Sequence, residues 1–248
     1  MDKSKLTAKE ILWLDIERAA SPHVSEILSV GLYSESIEEE MFAFPRRVKS
    51  IKPYLTRNVH GLFMKKGRIF QKTPGGAEVK ATISERDILL RILSILEDSG
   101  TAENFIACHG RDEVTLCAAI YRANNCLDLS KRFETALSGF FDTTVFWSNY
   151  MKVKRHNLAE LKSMDLAPAQ AKNSPIHGAL NDAKSLATIT MGPNVIHHLA
   201  SWVDMVARKD SHGFKSYDEA YKDLVDDYIA TKNKKRAKQY DTHLSSLY

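Results

Sequence analysis

Residues 11–14, Ile-Leu-Trp-Leu, form a short unbroken apolar run that ends on Asp15-Ile16-Glu17, the pattern of a buried strand. Residues 25–34 (SEILSVGLYS) alternate less strictly and predict a second strand, and residues 40–44 (EMFAF) a third. Ser21-Pro22 and residues 35–39 supply turns, so the three strands predict an antiparallel meander. Residues 84–98 (SERDILLRILSILED) then carry an amphipathic helix, with Ser84 as its N-cap, Ile88, Leu89, Ile92, Leu93 and Leu96 as its apolar stripe, and Gly100 closing it. Phe105-Ile106-Ala107-Cys108 predicts another buried strand and residues 112–123 another helix. Phe140-Phe141-Asp142-Thr143 begins either a further strand or the helix after it, and residues 157–164 and 181–190 are helical in pattern. Three strands followed by alternating helices and strands predict an α/β domain with a mixed central sheet flanked by helices.

Two stretches break this rhythm. Residues 46–80 contain Pro53, Gly61, Gly67 and Pro74-Gly75-Gly76, which predicts a loop-rich segment with a short helix at most. Gly192-Pro193 is the best domain boundary, dividing a domain of residues 1–192 from an extension of residues 193–248. Residues 195–206 and 217–229 of that extension have amphipathic helical patterns, and a basic run follows them.

Composition narrows the setting. No apolar run approaches the roughly 18–20 residues of a membrane span, and residues 1–10 lack the apolar stretch of a signal peptide. Cys108, Cys117 and Cys126 have no metal-ligand spacing, so reduced thiols in an intracellular protein, cytoplasmic or nuclear, are the simple reading. The net charge is only +4, but its distribution is uneven. Residues 46–80 hold ten Lys or Arg against one acid, Glu78, and Lys232, Lys234, Lys235, Arg236 and Lys238 form a second run. Charge segregated in this way points to a polyanionic partner.

Candidate chemistry lies in two places. Asp15 and Glu17 stand two positions apart on a strand, so their carboxylates share a face and converge. Such a pair is costly without a cation, and an all-oxygen donor set suits Mg2+ or Mn2+. His177-Gly178-Ala179-Leu180-Asn181-Asp182 places an imidazole just before a helix and an acid in its opening turn.

Taken in order, these landmarks resemble the DEDDh 3′→5′ exonucleases of the ribonuclease H-like superfamily over roughly residues 10–190. Asp15-Ile16-Glu17, Asp112 at the start of a helix, and His177 five residues before Asp182 carry the resemblance. Asn58-Val59-His60-Gly61-Leu62, Asp142-Thr143 and His156-Asn157-Leu158-Ala159-Glu160-Leu161 fit further family landmarks. The chain departs from the family at Arg18, where Thr is common. It departs again at Ala107-Cys108-His109-Gly110-Arg111-Asp112, where Glu113 rivals Asp112 and His109 is a second imidazole.

The resemblance implies a ribonuclease H-like fold and hydrolysis of single-stranded DNA or RNA from the 3′ end to nucleoside 5′-monophosphates. It implies two divalent cations, Mg2+ or Mn2+, held by Asp15, Glu17, Asp112 and Asp182, with His177 as general base toward water. Ile16, Arg18, His60, Gly61 and Leu62 would contact the terminal nucleotide, while Lys65, Lys66 and Arg68 would guide the strand by charge. The alternative is an inactive exonuclease fold that binds nucleic acid or a partner such as a polymerase. The presence of all five catalytic residues argues against it.

Overall fold

Strand β1, Lys9–Arg18, runs through the centre of a five-stranded sheet of order β3-β2-β1-β7-β8. The computed structural model describes residues 9–18, 27–43, 62–65, 68–72, 77–80, 83–100, 103–110, 112–123, 129–152, 157–164, 167, 178–193 and 195–199. On one side of β1 lie β2 (Ile27–Tyr33) and β3 (Glu38–Phe42), and on the other β7 (Glu103–Cys108) and β8 (Gly139–Asp142). β1 pairs antiparallel with β2, and β2 antiparallel with β3, so β1 and β3 run in the same direction. β1 meets β7 in parallel, and β7 meets β8 in parallel. The sheet is therefore mixed. The chain passes through helices before each of the parallel strands β7 and β8.

The first crossover contains α1 (Glu85–Asp98) and the second α2 (Asp112–Ala123) with α3 (Leu129–Ala136). Then follow α4 (Thr143–Met151), α5 (Leu158–Ser163) and α6 (Ala179–Thr190). α1 begins where the sequence predicts. The Ser84 hydroxyl accepts from Asp87 N–H and the Asp87 carboxylate accepts from Ser84 N–H, a capping box contributing about 0.5–2 kcal/mol. All five residues of its apolar stripe are buried, and Gly100 beyond it adopts a φ of 65°. Phe140-Phe141-Asp142-Thr143 serves both of its expected roles: Asp142 ends β8 and caps α4 by accepting from Thr144 N–H.

Each sheet face is covered by helices. Leu12, Leu14 and Ile16 of β1 join Val30, Leu32, Ile106 and residues of α1, α2 and α3 in one cluster. Ile11 and Trp13, on the opposite face, join Phe105, Ala107, Phe146, Trp147, Leu161, Ala183 and Leu186 in another. Burial on both sides explains why the first strand reads as a continuous apolar run rather than an alternating one.

β1 continues through Asp15 and Glu17 to Arg18, so both carboxylates stand on the strand. Two features differ from the sequence expectation. Residues 62–80, expected to be loop, hold a separate antiparallel sheet of β4 (Leu62–Lys65), β5 (Arg68–Lys72) and β6 (Glu78–Lys80). These strands are too short to display a period-2 pattern, and the glycines and prolines around them read as loop. α3 has no counterpart in the sequence reading. Beyond Gly192, Val195 and Leu199 are buried in the second cluster. The helices expected over residues 200–229 and the basic run beyond them lie outside the described residues.

Candidate metal centre

Two elements supply the centre. In β1, Asp15 and Glu17 continue the face of Ile11 and Trp13, which is the face packed against α6. Asp182 occupies the first turn of α6, where the partial positive charge of a helix N-terminus favours a carboxylate. One carboxylate oxygen from each of Asp15, Glu17 and Asp182 lies within 4.8 Å of the others.

A glycine and an acid bring α6 this close. Gly31 of β2 is the cross-strand partner of Asp15 and, on its other side, of Glu40 in β3. A Cβ at Gly31 would overlap the backbone of Ala179 and Leu180, so only glycine lets the helix start rest on the sheet. Gly178 at the N-cap offers no side chain to the helix. Glu40 replaces it from across the sheet, accepting from the backbone N–H groups of Ala179 and Leu180. Burial raises the Glu40 carboxyl above its ordinary range, and those two hydrogen bonds pull it back down.

The electrostatics show what the arrangement requires. Loss of water around Asp15 raises its carboxyl well above the usual range, and the negative charges of Asp112, Glu17 and Asp182 raise it further. Carboxylates held together in this way repel one another, and an all-oxygen set fits a hard divalent cation such as Mg2+ or Mn2+. A further observation supports that fit. Ser29 is 1% exposed, and its hydroxyl has no hydrogen-bond partner among the described residues. It is the cross-strand partner of Glu17 and so shares the face of the carboxylates.

Asp112 stands beside this triad rather than in it. Its Oδ1 accepts from Arg18 Nη1 at 2.5 Å, and its Oδ2 from Ile16 N–H at 3.4 Å. Burial lifts its carboxyl to about 7 against the lowering effect of Arg18. Ile16 and Arg18, expected to touch substrate, thus engage Asp112. Glu113, the rival for the Asp112 role, is also lifted to about 7, by burial and then by the charge of Asp142, and is not part of the triad.

Residues 108–110 are tied down by Asp142, Thr143 and Thr144. Gly110 N–H, at a φ of 83°, donates to Thr144 Oγ1 and to Asp142 Oδ1. Thr143 Oγ1 donates to the Cys108 carbonyl, which leaves its lone pairs to accept from His109 Nδ1 at 2.8 Å.

Lys162 of α5 escaped the sequence reading. Its Nζ donates to Asp182 Oδ1 at 2.7 Å, deep in the interior. The signal was present, because Lys162 stands four residues after Leu158 and hence on the same side of the helix. Gly31 also left a trace, as a lone glycine inside an apolar strand; Glu40 and Ser29 left none.

His177, His60, Gly61 and Lys66 lie outside the described residues. Leu62 and Lys65 fall in β4 and Arg68 opens β5. No helix among the described residues is long and apolar enough to cross a membrane. No family model matches this chain, and neither does any curated protein.

Proposed function

We propose that this chain is a metal-dependent 3′→5′ exonuclease with a DEDDh-type, ribonuclease H-like domain. It removes nucleoside 5′-monophosphates from the 3′ end of single-stranded DNA or RNA. The observation that carries the reading is the convergence of Asp15 and Glu17 from β1 with Asp182 from α6, their oxygens within 4.8 Å. The mixed five-stranded sheet flanked by helices is compatible with that fold.

Asp15, Glu17 and Asp182 would hold the cation, with Asp112 beside them. Bound Mg2+ or Mn2+ supplies Lewis acidity at the scissile phosphate and lowers the pKa of water. The remaining work belongs to the chain. His177 immediately precedes Gly178, the N-cap of α6, and its imidazole nitrogen takes the proton from the attacking water. His60, Gly61 and Leu62 receive the terminal nucleotide, and Lys65, Lys66 and Arg68 hold the strand behind it by charge.

The ion pairs at Asp112 and Asp182 favour a second reading, an exonuclease fold that binds nucleic acid without cutting it. One experiment separates the two. The full chain is incubated with 3′-labelled single-stranded RNA and DNA in Mn2+, and release of labelled mononucleotide is followed. The enzyme reading expects release by wild type and none by Asp15→Asn, with both proteins folded. Wild type that binds the strand yet releases nothing supports the second reading, and equal release by Asp15→Asn overturns the assignment.

A further inference from the structure

We propose that the resting protein takes up a single divalent cation, at Asp15, Glu17 and Asp182, because Arg18 occupies the place of a second cation at Asp112. The inference rests on the metal-dependent reading given above and specifies how many ions the free protein holds.

The Arg18–Asp112 contact carries it. Arg18 follows Glu17 directly on β1, and the pairing of β1 with β2 shifts by one residue between Glu17 and Arg18. The Arg18 guanidinium then donates to Asp112 Oδ1 at 2.5 Å, with the Arg18 side chain 27% exposed and that of Asp112 5% exposed. A charge-assisted bond to a buried carboxylate is among the stronger contacts available to a side chain. The other Asp112 oxygen accepts from Ile16 N–H, so both are engaged within the chain.

Charge balance leads to the same stoichiometry. Asp15, Glu17, Asp112 and Asp182 interact as one group, and among the described residues two cations, Arg18 and Lys162, lie against it. Within that described set, with all four carboxylates ionised, the excess is two negative charges, which one divalent ion would neutralise. Glu40, the next acid, is engaged by the backbone N–H groups at the start of α6. Ser29 points to where the single ion and its water shell belong. Its buried hydroxyl, without a partner among the described residues, stands opposite Glu17, on the triad's face of the sheet. Arg18 therefore acts as a positioning residue at Asp112, and as the built-in positive charge there.

The test is titration of the metal-free full chain with Mn2+, read by calorimetry and by the electron paramagnetic resonance of free Mn2+. Wild type should bind one Mn2+, and Asp182→Asn should lose it. Arg18→Ala releases Asp112 and should bind two, whereas Arg18→Lys, which keeps the charge, should stay at one. Asp112→Asn should still bind one ion, more weakly because one carboxylate charge is gone, which keeps the inference testable should Arg18→Ala fail to fold. Two Mn2+ ions in wild type, one in folded Arg18→Ala, or loss of binding in Asp112→Asn would each overturn the inference while leaving the metal reading intact. Wild type that binds no Mn2+ overturns both.

Discussion

Lys162 Nζ donates to Asp182 Oδ1 at 2.7 Å, and the two side chains are only 5% and 6% exposed. A lysine and an aspartate so deeply buried depend on each other, since a charge in the interior is costly when an opposite charge beside it is removed. In the metal-free protein the ammonium therefore replaces water at a carboxylate that a cation would otherwise stabilise.

Replacing Lys162 with Met keeps the aliphatic volume and removes the charge. Breaking a buried pair from one side costs about 3–5 kcal/mol, so Lys162→Met should lower the metal-free unfolding free energy by that order. Saturating Mn2+ should restore more stability to the variant than it adds to wild type, because Asp182 then has a cation again. Urea unfolding with and without Mn2+ checks this, and equal gains in the two proteins would count against it.

Gly31→Ala tests how the helix start is held. The added methyl would overlap the backbone of Ala179 and Leu180, which cannot rotate aside as a side chain can. α6 must shift instead, at roughly the 1–3 kcal/mol typical of overpacking, and Asp182 moves with it. Mn2+ affinity should fall even where circular dichroism reports a folded protein. Wild-type affinity in folded Gly31→Ala would show that α6 does not depend on this contact.

The pH dependence of the metal-free protein follows from the raised carboxyls. Asp112 and Glu113 titrate at about 7 in the fold, and Asp15 also lies well above its ordinary value, whereas the unfolded chain titrates near about 4. Between those values the native state binds more protons than the unfolded one, so stability falls as pH rises, by at most ~1.4 kcal/mol per group per pH unit. The melting temperature without metal should therefore drop between about pH 4 and about pH 7. Glu113→Gln should flatten the slope. Saturating Mn2+ should oppose it, because metal ligation needs the deprotonated carboxylates. A melting temperature that rises over this range without metal would contradict the assignment.

Much of the fold is legible along the chain because its cues are local. The apolar run before Asp15, the Ser84 cap and stripe of α1, and the Phe105 strand each sit within about one turn or strand of their own signal. The β4–β6 sheet was not legible, since its strands of four, five and three residues draw their order from pairing with one another. α3 was missed for a related reason: eight residues with three buried positions repeat too briefly to display a helical period.

The candidate site divides in the same way. By itself the sequence determined that Asp15 and Glu17 share a face, because the two-residue repeat of a strand follows from backbone geometry alone. It also placed Asp182 in the opening turn of a late helix. Only the tertiary structure decided that this helix start rests on Gly31 under the Glu40 carboxylate, that Lys162 reaches Asp182, and that Arg18 rather than solvent meets Asp112. Each is a meeting of charges or backbone between distant segments. Coulomb attraction and steric fit act through space, and no spacing along the chain encodes which cation a buried carboxylate will find.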